Sequence, residues 1–273
     1  MSGPLGLWID GVAATHVPAD DRGLQYGDGL FETLLIRNGA TRFVEAHIAR
    51  LLSGCARLAI DPGLATLRAS LSRAVADAPA LAILKIVVTR GSTARRGYAP
   101  PVVHAARRIM SLWPTADTRE LGAGVTLGLA RTRASTNPSL AGLKHLNRLD
   151  NVLAAAEISG DDFDAVMFDA AGNVVSGTAC NVFMARGGEI FTPALDTAGV
   201  AGVMRGIVLR EAAVLGLTVQ ARVLTLADLA AADEMFVTNA RIGVVPVLRV
   251  GEHSFQMSDL AQKLRAHIEK LDA

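Results

Sequence analysis

Two short turn motifs set the frame for the first part of this chain. Asp10-Gly11 and Asn38-Gly39 each lie between runs of apolar and β-forming residues. In that setting such a pair closes a tight hairpin, because both central residues of the favoured turn need positive φ. Helical spacing follows. Ile48, Leu51, Leu52, Cys55, Leu58 and Ala59 recur with a helix's period, and a second amphipathic stretch over 64–78 runs to the break at Pro79. Strands at about Ile83 to Thr89 and Ile109 to Trp113 complete an α+β unit spanning residues 1–113.

The next stretch, PTADTRELGAG at 114–124, is polar and glycine-containing and reads as an interdomain connection. Beyond it, residues 125–273 alternate strand and helix. The pattern predicts strands at 125–130, 165–169, 181–186, 218–223 and 235–238, with helices at 147–158, 203–215 and 258–271. A short helix opens at Thr225, with Asp228 placed to complete a capping box. The fold class expected is therefore a two-domain α+β and α/β chain, with the larger domain at the C-terminal end.

Composition narrows the possible functions. With 51% hydrophobic and 19% charged residues over 273 positions, the chain has ample material for a packed core. A net charge of +1 without basic clusters argues against nucleic acid and membrane surfaces as partners. The apolar runs are too short to span a bilayer and the N-terminus lacks a signal pattern, so a cytoplasmic location is expected. Cys55 and Cys180 have no second Cys or His at ligand spacing, which points away from a disulfide or a metal site.

Chemistry is concentrated in a few places. The sequence holds no phosphate-binding G-x-x-x-x-G-K-[ST], no G-x-S-x-G elbow and no H-E-x-x-H. The helix entry DTAGVAGVMRG places Gly199 and Gly202 before Val203 and Met204, whose backbone N–H groups face out of a helix N-terminus and suit a phosphate. Arg50, one turn after His47, is a candidate two-pronged cation for the same anion. Only four of the 27 basic residues are lysines. Lys263 and Lys270 lie off the apolar face of the last helix, and Lys85 interrupts a strand. Lys144 follows Gly142 and Leu143 among few carboxylates, where desolvation favours the neutral amine needed for imine chemistry.

These motifs fall into one pattern: DRGLQYGDGLFET at 21–33, HIARL at 47–51, KIVVTRGSTARRGY at 85–98, LAGLKHLNRLDNVL at 140–153, FTPALDTAGVAGVMR at 191–205 and ADEMFVTNA at 232–240. In order and spacing the sequence resembles the fold-type IV pyridoxal-phosphate enzymes, the branched-chain and D-amino-acid aminotransferase-like group. The resemblance implies pyridoxal 5′-phosphate as cofactor, held as a Schiff base by Lys144, which also shuttles the proton. Arg50 and the backbone amides of Val203 and Met204 would hold the phosphate. Ala240 occupies a place where relatives put a phosphate-binding Thr or Ser, so only its backbone could serve.

Five residues before Asn181, the asparagine of the N-[LV]-F strand, the family commonly has a Glu that pairs with the pyridine nitrogen; this chain has Ser176. A hydroxyl keeps the ring less protonated and makes it a weaker electron sink. That suits a lyase whose product is aromatic. The resemblance thus implies conversion of 4-amino-4-deoxychorismate to 4-aminobenzoate and pyruvate, as in folate biosynthesis, with branched-chain or D-amino-acid amino transfer as the alternative. Retention of the scaffold by a noncatalytic protein is a more distant one.

The two carboxylates of such a substrate would draw on the loop that offers Arg90, Arg95, Arg96 and Tyr98. Arg96 and Tyr98 match the family's motif there. Asn239 and Arg241 are further candidates, and Tyr26 and Phe31 would line the cleft. His47 is expected in helix packing, Asn147 and Arg148 in orienting the lysine segment, and the family implies a homodimer.

Overall fold

A computed structural model of the chain describes residues 3–93, 96–102 and 104–271. Two compact units divide it: Met1–Asp117 with Lys144–Asn147, and Thr118–Leu143 with Arg148–Ala273.

The first unit contains β1 (Gly6–Ile9), β2 (Val12–Ala13), α1 (Arg22–Tyr26), β3 (Gly29–Arg37), β4 (Ala40–Thr41), α2 (Val44–Arg57), α3 (Leu64–Ala76), β5 (Leu81–Thr89) and β6 (Arg107–Pro114). Its sheet has the order β2-β1-β6-β5-β3-β4, and every neighbouring pair is antiparallel. Both turn motifs close hairpins with positive φ at each central residue, 50° and 82° at Asp10-Gly11 and 50° and 78° at Asn38-Gly39.

Register aligns side chains across this sheet. Leu34 pairs with Leu84 and Leu84 with Leu112, while Glu32 pairs with Ile86 and Ile86 with Met110. All six are buried. A carboxylate thus stands in an otherwise apolar row, on the strand against which α2 packs. Residues alternate faces along a strand, so Phe31 and Thr33 turn the other way.

The second unit contains β7 (Val125–Arg133), α4 (Leu149–Ala155), β8 (Asp164–Phe168), β9 (Val174–Gly177), β10 (Asn181–Arg186), β11 (Glu189–Pro193), α5 (Val203–Val214), β12 (Val219–Arg222), α6 (Leu226–Ala230), β13 (Glu234–Asn239), β14 (Gly243–Val250), β15 (His253–Ser254) and α7 (Asp259–Lys270), with a 3₁₀ turn over Arg119–Ala123. The strands order as β12-β11-β10-β13-β14-β7-β8-β9, with β15 on β14. Parallel pairing joins β14 to β7, β7 to β8 and β11 to β12. Val125, Leu127, Val166, Val182, Met184, Met235, Val237, Val245 and Val247 belong to its core. The capping box is present at α6, where Thr225 accepts from Asp228 N–H and the Asp228 carboxylate accepts from Thr225 N–H.

Several expectations need correction. The helix expected over 147–158 is shorter, Leu149–Ala155, and Lys144–Asn147 just before it bond to β3. Phe31 N–H donates to the Lys144 carbonyl at 2.9 Å and Leu146 N–H to that of Gly29 at 3.1 Å. Lys144 thus groups with the first unit, whereas the sequence reading assigned it to the C-terminal domain. Strands β9, β11 and β14 carry no alternation to announce them: β9 and β14 read as nearly continuous buried runs, and β11 follows a Gly187-Gly188 turn.

Candidate active site

Within the first unit, Lys144 is partly buried and its Nζ lies 4.2 Å from the centre of the Phe31 ring, with Lys85 Nζ 5.3 Å from the same ring. An aromatic face attracts a cation without taking a proton or forming a covalent bond. The backbone of the lysine segment is fixed by its pairing with β3 and by Asn147, whose Nδ2 donates to the Gly27 carbonyl at 3.3 Å.

On the other face of β3, the buried Glu32 carboxylate accepts from His47 Nδ1 at 2.6 Å and from Arg50 Nε at 2.7 Å, and also from Arg50 NH2. Burial alone would raise the Glu32 pKa, but these hydrogen bonds and the adjacent charges hold it below the ordinary carboxylate value. His47 therefore does more than pack a helix. Arg50 is engaged too, its Nε and NH2 edge meeting the Glu32 carboxylate. Sequence reasoning passed over Glu32, although a carboxylate at a core-facing position of the GLFET strand was the available signal.

Arg90 is engaged as well, donating to Asp28 and to the Leu58 and Ala59 carbonyls. That takes it out of the set of substrate cations. Arg96 and Tyr98 are exposed; Arg95 lies outside the described residues. The Tyr26 and Tyr98 rings meet edge to face with centroids 5.5 Å apart.

In the second unit, α5 begins at Gly202 with no side chain capping it, leaving the amides at its N-terminus to other acceptors. The approach here is close: a Cβ on Gly202 would stand 2.0 Å from Asn181 Oδ1. Asn181 in turn donates from Nδ2 to the Val200 carbonyl at 2.9 Å. Asn181 is thus the post against which the loop entering α5 is set. The same loop bonds to the segment before the lysine, through Gly142 N–H to Gly199 O at 3.1 Å and Ala201 N–H to Gly142 O at 3.0 Å. Arg148 NH2 donates to the Leu143 carbonyl at 2.9 Å; burial pulls its pKa down to about 10 against the influence of Asp150.

Ser176 is buried on β9 and donates its hydroxyl proton to the Gly177 carbonyl at 2.7 Å. Asn239 folds back on its own turn, accepting from Arg241 and Ile242 N–H while its Nδ2 contacts the Ala179 carbonyl and Cys180 Sγ. Its side chain is structural in this arrangement. Arg241 is exposed and Ala240 partly buried. Both cysteines are buried free thiols, and no group of three or more metal-ligating side chains occurs among the described residues. Among those residues, no helix is long and apolar enough to cross a membrane.

Residues 29–250 match the model of the family described as amino-transferase class IV. The chain belongs to the amino-transferase class IV family. Aminodeoxychorismate lyase of Vibrio harveyi is 36% identical to this class IV protein over 271 residues, covering 96% of this chain and 99% of the relative. The crystal structure of 4-amino-4-deoxychorismate lyase from Pseudomonas aeruginosa superposes with a TM-score of 0.92 at 42% identity, covering 98% of this chain and 100% of that one. A putative branched-chain-amino-acid aminotransferase of Methanocaldococcus jannaschii is 30% identical over 281 residues, 95% of this chain and 92% of the relative. The class IV fold is that of the fold-type IV enzymes, as the sequence motifs implied.

Proposed function

We propose that the protein is a pyridoxal-phosphate-dependent aminodeoxychorismate lyase that converts 4-amino-4-deoxychorismate to 4-aminobenzoate and pyruvate. The observation that carries the choice of reaction is Ser176. Its proton is committed to the Gly177 carbonyl, so it presents only uncharged lone pairs where aminotransferases of this fold commonly place a carboxylate. Similarity to lyases over nearly the full chain supports the same choice.

The residues present fit the cofactor. The uncapped amides of Val203 and Met204, behind a glycine whose Cβ would strike Asn181, are donors suited to a phosphate. Arg50, its guanidinium plane held by Glu32, is the side-chain cation of this reading, and the Ala240 backbone is a further donor. Bound pyridoxal phosphate supplies an electron-withdrawing ring joined to the substrate's nitrogen.

Lys144 would be the amine that holds the cofactor, and it is the group that moves the proton. Its Nζ takes the proton from C4 of the substrate ring and delivers it to the methylene carbon of the departing enolpyruvyl group. The C–O bond to the ring breaks, the ring becomes aromatic and pyruvate leaves. Aromatisation drives the step, so the site manages with the weaker sink that Ser176 leaves.

Arg96, Tyr98 and Arg241 are the proposed partners of the two carboxylates, and Tyr26 and Phe31 line the substrate's path. A cytoplasmic homodimer belongs to the same reading. The deciding test incubates purified protein with 4-amino-4-deoxychorismate and measures 4-aminobenzoate and pyruvate. Formation of 2-oxoacids from a panel of amino acids, without lyase products, would instead establish an aminotransferase, the activity named for the Methanocaldococcus relative.

A further inference from the structure

Tyr98 is among the most exposed residues described, with 85% of its surface open, yet its backbone is held from inside the first unit. Arg22, only 3% exposed, donates from NH1 to the Gly97 carbonyl at 3.0 Å and from NH2 to the Tyr98 carbonyl at 2.8 Å. Those carbonyls belong to the two peptide planes that flank Tyr98. Fixing both planes fixes both soft torsions of that residue. Gly97, between Arg96 and Tyr98, has a φ of 101°, a conformation open to glycine at low cost.

The guanidinium is itself tied down. Its Nε donates to Asp28 Oδ2 at 2.8 Å, and its carbon lies 4.8 Å from the centre of the Tyr26 ring. Asp28 also accepts from Arg90 at 2.8 and 3.1 Å, and Arg90 is anchored on the Leu58 and Ala59 carbonyls at 2.7 and 2.9 Å. Asp28 thus stands between two arginines, each spent partly on backbone carbonyls. Only a planar fork reaches two carbonyls and a carboxylate at once; a lysine has a single charged point.

We infer that Arg22, braced by Asp28, is a positioning residue that sets the loop bearing Arg96 and Tyr98 before substrate arrives. The inference rests on the reading of that loop as substrate-binding. Held in this way, the loop has already met the cost of ordering a backbone residue, which corresponds to roughly 5- to 30-fold in affinity. The tether touches neither the lysine nor the phosphate-binding groups.

The test compares wild type, Arg22→Met and Arg22→Lys as cofactor-loaded proteins. In Arg22→Met, KM for 4-amino-4-deoxychorismate should rise about ten-fold, with kcat within two-fold and the visible cofactor absorbance and its titration curve unchanged. Trypsin cleavage between Arg96 and Gly97 in the folded protein should quicken. Arg22→Lys keeps the charge beside Asp28 and should fall between wild type and Arg22→Met; it also serves as the test variant if Arg22→Met does not fold. Unchanged KM and cleavage, or parallel loss of kcat and cofactor, would overturn the inference. If wild type makes no 4-aminobenzoate, the functional reading fails by itself. Cleavage then decides the tether: faster in the variants upholds it, equal overturns it.

Discussion

Replacing Glu32 with Gln keeps the side chain's size and removes its charge from the middle of the β3–α2 packing. In the native arrangement the carboxylate, 1% exposed, accepts from His47 Nδ1 and from two nitrogens of Arg50. A glutamine has one acceptor oxygen, and its NH2 must face a donor of either His47 or Arg50. At least one charge-assisted hydrogen bond is lost, and Arg50 loses the Glu32 charge beside it. Breaking one partner of a buried pair in this way costs about 3–5 kcal/mol. At 25 °C that is a fall of roughly 10²- to 10⁴-fold in the folded-to-unfolded ratio of the first unit.

The assay is urea unfolding of wild type and Glu32→Gln, with a cofactor titration alongside. Loss of the plane that fixes Arg50 should weaken cofactor binding about ten-fold or more, as removal of a charge-assisted contact would. The pH dependence carries a sign. The folded pKa of Glu32 lies below its ordinary 4.5, so the ionised group's contribution is present above 4.5 and declines as pH falls through the depressed folded value. The stability gap between the proteins should therefore shrink in acid. Equal unfolding midpoints at neutral pH, with equal cofactor affinity, would refute the assignment of Glu32 as the brace of Arg50.

Three further outcomes are expected. Gly202→Ala places a Cβ 2.0 Å from Asn181 Oδ1, so the Asn181–Val200 bond or the start of α5 must give way; overpacking of this kind costs about 1–3 kcal/mol, and a cofactor titration should show weaker binding that Asn181→Gly partly restores. Ser176→Glu should raise amino transfer from amino acids to 2-oxoacids at the expense of the lyase reaction, measured by coupled assays on the same preparation; no gain in amino transfer would count against Ser176 as the determinant. Thr225→Ala removes the acceptor of the α6 capping box and should cost about 1 kcal/mol in chemical denaturation, with little effect on the substrate's KM.

Much of this architecture was legible in residue order. Turn pairs with obligatory positive φ announced the hairpins, and apolar periodicity announced α2, α3, α5 and α7. Lys144 was conspicuous among four lysines, and the glycines before Val203 marked the uncapped helix start. Periodicity fails where a strand is buried on both faces, as in β9 and β14, because no polar alternation remains to count. It overshoots at the helix expected over 147–158, which is Leu149–Ala155, because the segment just before it bonds to a strand far away in sequence. The partners of Glu32, and the carbonyls that Arg22 holds, were illegible for a related reason: those bonds span 15 to 76 positions, and only the folded register brings the groups together.

The most direct test of the account is a comparison of wild type and Lys144→Ala, each incubated with pyridoxal phosphate and then with 4-amino-4-deoxychorismate. Wild type should show a visible absorbance band that shifts with substrate and should release 4-aminobenzoate and pyruvate in equal amounts, while Lys144→Ala should show neither the band nor the products. Product formation by Lys144→Ala at the wild-type rate, or amino-acid-dependent 2-oxoacid formation as the sole activity of the wild type, would contradict it.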